Sequence, residues 1–105
     1  MNTIDQARIR REALRWLIIL TLNNARPIGS FEGPILSVAQ AEYPDATPHE
    51  LRRELDYLHE RSLVVLDKQP AGRWFASLTR HGVDVAEYTV DCEPGIARPA
   101  KYWSV

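Results

Sequence analysis

Basic side chains gather at two places along the chain. Three lie near the start of a predicted helix, at His49, Arg52 and Arg53. Two lie in the turn of a predicted β-hairpin, at Lys68 and Arg73. Guanidinium and ammonium groups pair with phosphate oxygens, and arginine also bonds to base edges in the major groove. These five residues are therefore the candidates for contact with double-stranded DNA.

Acidic side chains oppose this basic character. Asp56 and Glu60 share the predicted outward face of the helix with His49 and Arg53. The whole chain has 13 lysines and arginines against 14 aspartates and glutamates, which gives a net charge of -1. A strongly basic domain would bind any duplex, so this balance argues against strong nonspecific binding. Only the first half of a recognition helix must meet base edges, and modest, sequence-selective binding remains open.

Groups that could bind a metal are widely spaced. The histidines His49, His59 and His81 have no spacing that places two of them on one helical turn, and Cys92 lies in a different segment. A structural zinc site needs four nitrogen or sulfur ligands close together. A single cysteine also excludes an internal disulfide. We expect no metal and no cofactor.

Catalytic patterns are equally sparse. Glu50, Glu54 and Asp56 alternate with the arginines of the same helix, which predicts charge pairs within the helix rather than an acid and base pair. The sequence has no glycine-rich phosphate loop and no Gly-x-Ser-x-Gly motif. We therefore expect a protein that is not an enzyme.

The helix that carries the first basic set has a clear start. Thr47 supplies an N-cap hydroxyl, Pro48 fits the first helical position, and the Glu50 carboxylate can bond back to the cap amide. Three leucines follow at spacings of four and three, on one face that the pattern predicts to be buried: Leu51, Leu55 and Leu58.

A β-hairpin and a short helix are predicted next. Residues 63–66 and 74–76 are rich in β-branched and aromatic side chains and flank a turn with proline and glycine, whose tip covers residues 67–73. Thr79 can then cap a last short helix. Gly82, early in that helix, indicates a close approach of the backbone to the core.

In this order the segments resemble winged helix-turn-helix proteins. The resemblance covers about residues 13–88 and rests on the run from Leu55 to Leu66, the Gly72-Arg73 turn and the pattern Leu78-Thr79-x-x-Gly82. It implies a mainly α fold with a small β-hairpin (α+β): a three-helix core, a wing, a closing helix and an extended tail. Ser62 departs from the pattern, since many members have glycine after the recognition helix.

Two upstream helices complete the predicted core. The first has Thr3 and Gln6 as a capping box and runs to about residue 22 or 23. The second runs from Phe31 to about Glu42 with Ser30 as its N-cap.

The first helix has two predicted sides. One is apolar: Ile9, Ala13, Trp16, Leu17 and Leu20. The other is a basic stripe: Arg8, Arg11 and Arg15. From Trp16 onward the helix is apolar nearly all round, so it must be buried on several sides, within the domain or partly against a second subunit. The stripe is either a solvated surface or, together with Trp16, part of a homodimer contact.

The domain prediction is one winged-helix domain over residues 1–88, with residues 1–12 as a helical extension, followed by a tail over residues 89–105 that contains prolines. Tyr102 and Trp103 near its end either cover the protein's own core or dock on a partner. The ending is also similar to small proteins of Mu-like phages and prophages. That resemblance implies a phage protein in bacterial cytoplasm and carries no assigned activity.

A cytoplasmic location also follows from the apolar pattern. The longest apolar stretch is far shorter than a membrane span, and charged residues at positions 8–15 do not fit a signal peptide.

Together these features predict a dimeric DNA-binding protein, as in transcription regulation. The helix over residues 48–61 would enter the major groove and the wing would contact the backbone. The alternative is an assembly module that binds a phage or host protein through its acidic helix face and aromatic tail. A regulator that responds to a small molecule would need an apolar cavity, which a sequence cannot reveal.

Overall fold

The computed structural model describes residues 5–101, which form four helices and three short strands. In chain order these are α1 (Gln6–Asn24), β1 (Ser30–Phe31), α2 (Glu32–Glu42), α3 (Pro48–Glu60), β2 (Val64–Lys68), β3 (Trp74–Leu78) and α4 (Arg80–Ala86). The strands form one antiparallel sheet in the order β1-β3-β2. This α+β architecture is the predicted one: α1, α2 and α3 pack together, β2 and β3 form the wing, and α4 closes the domain.

Helix α3 begins as the sequence predicts. The Thr47 hydroxyl accepts a hydrogen bond from the Glu50 amide at 3.1 Å, Pro48 is the first helical residue, and the three inward leucines are buried. The Glu50 carboxylate does not return to the cap amide. It pairs instead with Arg10 of α1. The prediction of a full capping box is therefore wrong, because a charged partner from another helix competes for the carboxylate.

The exit from α3 explains the unusual serine. The Leu63 amide donates to the Leu58 carbonyl and the Ser62 amide donates to the His59 carbonyl, both at 3.0 Å. These two bonds make a Schellman motif, whose residue after the C-cap takes a left-handed conformation that favours glycine. Ser62 takes this conformation with φ of 61°. The departure from the winged-helix pattern therefore changes the residue and leaves the end of the helix intact.

The wing is longer than predicted. Strands β2 and β3 each extend two residues beyond the predicted stretches, with pairing from Val64 with Leu78 to Lys68 with Trp74. In the turn, the Gly72 amide donates to the Gln69 carbonyl at 2.9 Å. Gly72 has φ of +93°, a conformation that other residues adopt only with strain.

Strand β1 was not predicted. Ser30 pairs with Ala76 and Phe31 with Phe75, so both residues are held extended beside β3. Helix α2 therefore begins at Glu32, with Phe31 at the N-cap position and no side-chain cap bond. The prediction of Ser30 as N-cap is wrong because sheet pairing, a nonlocal contact, determines its backbone.

Helix α1 is capped by Asp5, whose carboxylate accepts a hydrogen bond from the Arg8 amide at 3.0 Å. The predicted cap, Thr3, lies outside the described residues. The helix continues to Asn24, one or two residues beyond the predicted end.

The most buried side of α1 differs from the predicted apolar side, of which Trp16 and Leu17 pack against the core as partly buried side chains. The buried side chains of α1 are Leu14, Ile18, Ile19 and Leu22. Ile9, which belongs to the predicted apolar side, is 51% exposed. Arg15 lies one turn before Ile18 and Ile19, so the basic stripe runs into the buried side. Apolar residues continue around the helix, so the sequence pattern cannot show which side is buried. Arg15 can lie on the buried side because a carboxylate on α3 accepts its hydrogen bond.

The main core lies between α1, α3, α4 and the inner face of the sheet. It is filled by Ile18, Ile19, Leu22, Ile35, Leu51, Leu55, Leu58, Leu63, Val64, Ala76, Val85, Ala86 and Ile96. A Cβ on Gly82 would overlap the Leu63 carbonyl oxygen. The close approach predicted at this glycine is confirmed.

The tail folds back on the domain. Residues 89–101, its described part, contain no helix or strand, yet Ile96 is buried and the Ala97 amide donates to the Glu12 carbonyl at 3.1 Å. The aromatic pair predicted to cover a core or a partner, Tyr102 and Trp103, lies outside the described residues.

Candidate nucleic-acid interface

Helix α3 presents one face to solvent and makes ion pairs along both flanks. Its inward face holds the three core leucines and Glu54, so the opposite face carries His49, Arg53 and Glu60, all exposed. One flank meets α1 and the tail, and the other meets the wing. His49 and Arg53 occupy the first half of the helix, which is the half that can reach base edges in a groove.

Arg53 is the most accessible arginine of α3, with 57% of its side chain exposed. Its Nε lies 3.2 Å from a carboxylate oxygen of Glu54, which also binds Arg15 through its other oxygen at 2.7 Å. Because guanidinium has five N–H donors, this one bond leaves Arg53 donors that can face a ligand.

Arg52 faces the wing and does not lie on the solvent-exposed face of α3. Its Nε and Nη2 donate to the two carboxylate oxygens of Glu32 at 2.7 and 2.6 Å. The same Nη2 donates to the Gly72 carbonyl in the wing turn, and the guanidinium lies 4.6 Å from the centre of the Trp74 ring. The hydrogen bonds from Arg52 lower the pKa of Glu32, and those to Glu32 raise the pKa of Arg52, so both groups stay charged.

Lys68 also contacts the Trp74 ring. Its ammonium group lies 4.4 Å from the centre of the Trp74 ring and 3.0 Å from a carboxylate oxygen of Asp56. About half of each charged side chain is exposed, at 50% for Lys68 and 44% for Asp56. This pair is therefore in contact with solvent and can exchange partners.

Arg73 follows the wing turn and is exposed. Its guanidinium lies 3.7 Å from the centre of the Phe31 ring, which packs edge to face on Phe75 with ring centres 4.9 Å apart. Within residues 5–101 it makes no ion pair at salt-bridge distance.

The residues predicted for a partner contact do not act as one set. Arg8 is exposed and lies 3.7 Å from Glu12, whereas Arg15 is largely buried against Glu54, the Gly95 carbonyl and the Tyr57 ring. Arg11 is half-buried and makes no ion pair within the described part of the chain. The interpretation of all three as one solvated stripe is wrong for Arg15, because that side chain completes an internal ion pair.

Trp16 is also turned inward. It is half-buried against the core, with its ring edge to face on Tyr88 at 6.1 Å between ring centres.

Most predicted pairs within α3 are replaced by pairs between elements. Only the contact between Arg53 and Glu54 stays within the helix, whereas Glu50 binds Arg10 and Asp56 binds Lys68. Side-chain spacing along one helix cannot show which charges a neighbouring element supplies.

Sequence reasoning missed the two carboxylates that organise this region, Glu32 and Glu54. Glu54 is predicted only to pair with arginines of its own helix. The one local signal for Glu54 is its position between Leu51 and Leu58, on the apolar face of α3.

Within residues 5–101, no group of three histidine, cysteine, aspartate or glutamate side chains is arranged to hold a metal ion. In the same range, none of the helices is both long enough and apolar enough to cross a membrane.

Comparison with solved structures supports the fold. A crystal structure from Ralstonia eutropha JMP134, described as that of a candidate DNA-binding protein, superimposes with a TM-score of 0.62 at 24% sequence identity, over 85% of this chain and 100% of that one. No protein-family model matches the chain, and no curated protein sequence matches it significantly. The chain thus shares its fold along the whole length of that Ralstonia protein.

Proposed function

We propose that this protein binds duplex DNA, with the first half of α3 in the major groove and the wing turn on the adjacent backbone. The observation that carries the proposal is the contact between Arg52 and the Gly72 carbonyl, which brings the wing turn beside the start of α3. His49, Arg53 and Arg73 are thereby presented from two neighbouring elements. The description of the Ralstonia protein as a candidate for DNA binding supports the same function.

The expected binding is modest because few cations on this surface are available. Arg52 is held by Glu32 and Arg53 is assigned to base contacts, so Arg73 and a Lys68 released from Asp56 make about two phosphate contacts. Two contacts predict a loss of affinity of about 12-fold between 50 and 200 mM salt. Base contacts from His49 and Arg53 would then provide the selectivity.

The first experiment is a titration of random-sequence duplex DNA at about 50 and 200 mM salt, with light scattering on the same sample. A steep loss of binding with salt supports the proposal, and no binding at the lower salt contradicts it. The measured mass tests the homodimer, for which the exposed Ile9 on α1 offers an apolar contact.

Arg53→Ala should cost about 1 to 3 kcal/mol of specific binding once a site is known. Arg80→Ala is the matched control, because Arg80 carries the same charge, is highly exposed and belongs to α4 rather than to α3 or the wing turn. Equal effects of the two substitutions would remove Arg53 from the reading face.

Regulation of transcription is the biological role that this binding mode would serve, and the similarity of the tail to Mu-like phage proteins would fit a phage regulator in bacterial cytoplasm. A second function is favoured by the pairing of Lys68 with Asp56 and of Arg52 with Glu32. These ion pairs reduce the net charge of the surface, as in an assembly module that binds a phage or host protein. Failure to bind DNA at low salt would favour this function.

A further inference from the structure

The Glu32 carboxylate joins three elements that the chain brings together from distant positions. Glu32 is the first residue of α2, and it accepts both donors of Arg52 from α3. One of its oxygens also accepts a hydrogen bond from the Trp74 amide of β3 at 3.0 Å. Arg52 extends the connection to the wing turn through the Gly72 carbonyl. We call these four residues the wing clamp.

The charges of the clamp are satisfied within the protein. Glu32 keeps only 17% of its side chain exposed, and the guanidinium of Arg52 makes three hydrogen bonds and covers one face of the Trp74 ring. The two Nη1 donors of Arg52 are not used in these bonds, but a phosphate bound there would lie close to the negative Glu32 carboxylate. Contact through Nε or Nη2 would exchange the bidentate pair for a phosphate and leave the Glu32 carboxylate unpaired beside a polyanion. Such an exchange is unfavourable, because bidentate pairs between arginine and a carboxylate are among the strongest hydrogen-bonded pairs.

We propose that Arg52 is a positioning residue, which fixes the wing beside α3 and does not itself contact DNA. The proposal rests on the DNA-binding function proposed above. Arg73 directly follows Gly72, so a clamp that holds the Gly72 carbonyl also places the Arg73 guanidinium relative to α3. Surfaces that are already in position lose less entropy when they bind, and a duplex must meet α3 and the wing at the same time.

The clamp is tested first without DNA, by amide hydrogen exchange of the full chain. In Glu32→Ala and in Arg52→Lys, the Trp74 and Gly72 amides should exchange about tenfold faster or more, while buried α1 amides keep their rates. Arg53→Lys is the matched control, since Arg53 touches neither Glu32 nor the wing in the described structure and should leave the exchange unchanged. Unchanged wing exchange in the first two variants would overturn the clamp.

The second test measures binding of random-sequence duplex over a series of salt concentrations. Arg52→Lys keeps the charge and loses the bidentate geometry, so a positioning role predicts about a fivefold weaker affinity with the same salt slope. Glu32→Ala removes a negative charge from the protein and should nevertheless weaken binding. The double variant should bind no worse than the weaker single one, because the two residues act together.

Three results would contradict this inference, and a fourth would contradict the proposed DNA-binding function instead. Affinity that rises in Glu32→Ala, or a salt slope that falls by about 0.9 in Arg52→Ala, would place Arg52 on a phosphate. Normal affinity in Arg52→Lys would show that positioning is not required. A wild-type protein that fails to bind at 50 mM salt overturns the DNA-binding function itself, and the exchange rates still decide whether the clamp exists.

Discussion

The two flanks of α3 make the same kind of contact at different depths. Toward α1, Arg15 and Glu54 form an ion pair in which 11% and 1% of the side chains are exposed. Toward the wing, about half of Lys68 and of Asp56 is exposed. Both pairs are short, at 2.7 and 3.0 Å, so the two pairs differ in burial and hardly in distance.

This difference indicates a division of roles along one helix. A buried ion pair cannot lose one partner without leaving an unpaired charge in the interior, so the α1 flank fixes α3 in the core. An exposed pair contributes little to stability and can exchange a carboxylate for a phosphate. Of these two pairs, the one between Lys68 and Asp56 is therefore able to exchange its partner for a ligand, and the one between Arg15 and Glu54 is not.

The largest effect should come from the buried pair. Glu54→Ala leaves Arg15 with the Gly95 carbonyl and the Tyr57 ring but no counter-charge, and should lower the free energy of unfolding by about 3 kcal/mol. Chemical denaturation measures this loss. Replacement of both residues by methionine should restore much of the stability, because the unpaired charge is then absent. A loss below about 1 kcal/mol in Glu54→Ala would show that this flank is as tolerant as the other.

A second pair on the α1 flank is less buried and should matter less. Arg10 donates two hydrogen bonds to Glu50 at 2.7 and 2.8 Å and also contacts Asp45 at 2.9 Å, near the domain edge. Glu50→Ala should cost about a third of the stability lost in Glu54→Ala, because solvent screens the remaining charge. Thermal unfolding of both variants in one buffer gives the ratio. Equal losses would mean that burial does not determine the difference.

Acid should loosen the wing flank through Glu32. Its hydrogen bonds with Arg52 hold the folded-state pKa of this carboxyl below its ordinary value of 4.5. A lowered pKa contributes stability that is complete above the unfolded value and is lost as the pH falls through the folded value. The difference in unfolding free energy between the wild type and Glu32→Gln should therefore shrink as the pH falls below about 4.5. A constant difference from pH 7 to pH 3 would contradict the role of the charged form.

The smallest change in stability should follow Asp56→Asn. Removing this exposed charge should change the free energy of unfolding by less than about 0.5 kcal/mol. Lys68 then loses its carboxylate partner, so DNA affinity at 50 mM salt should rise about threefold, whereas the salt slope should not change because Lys68 contacts a phosphate in the wild-type complex too. Glu42→Gln is the matched control, because Glu42 is the last residue of α2 and makes no ion pair within residues 5–101. Equal increases in both variants would indicate a general charge effect.

Local signals in the sequence were sufficient for much of this fold. Thr47 and Pro48 fixed the start of α3, Thr79 fixed the start of α4, and Gly72 marked the wing turn. Each signal acts within four residues, through a cap bond or a backbone conformation, and needs no distant partner. The five DNA-contact candidates were likewise found by residue type and position, and their role in binding stays a prediction.

The errors share a different physical origin. The local sequence predicts Ser30 as a helix cap, but Ser30 belongs to a strand because it pairs with β3. Arg15 reads as a surface charge and becomes an internal one because Glu54 and the tail surround it. The sequence predicts that Arg52 pairs with carboxylates of its own helix, and it bonds instead to Glu32, twenty residues upstream.

The sequence by itself thus determined the order of the elements, the caps that delimit α3 and α4, the turn of the wing and the near balance of charge. Tertiary structure alone decided which side of α1 is buried and which cation meets which carboxylate. Caps and turns are fixed by bonds to near neighbours, and their residue types reveal them. Ion pairs between elements depend on side chains that become neighbours only when α1, α3 and the wing pack, and burial then decides whether a pair stabilises the core or remains available to a ligand.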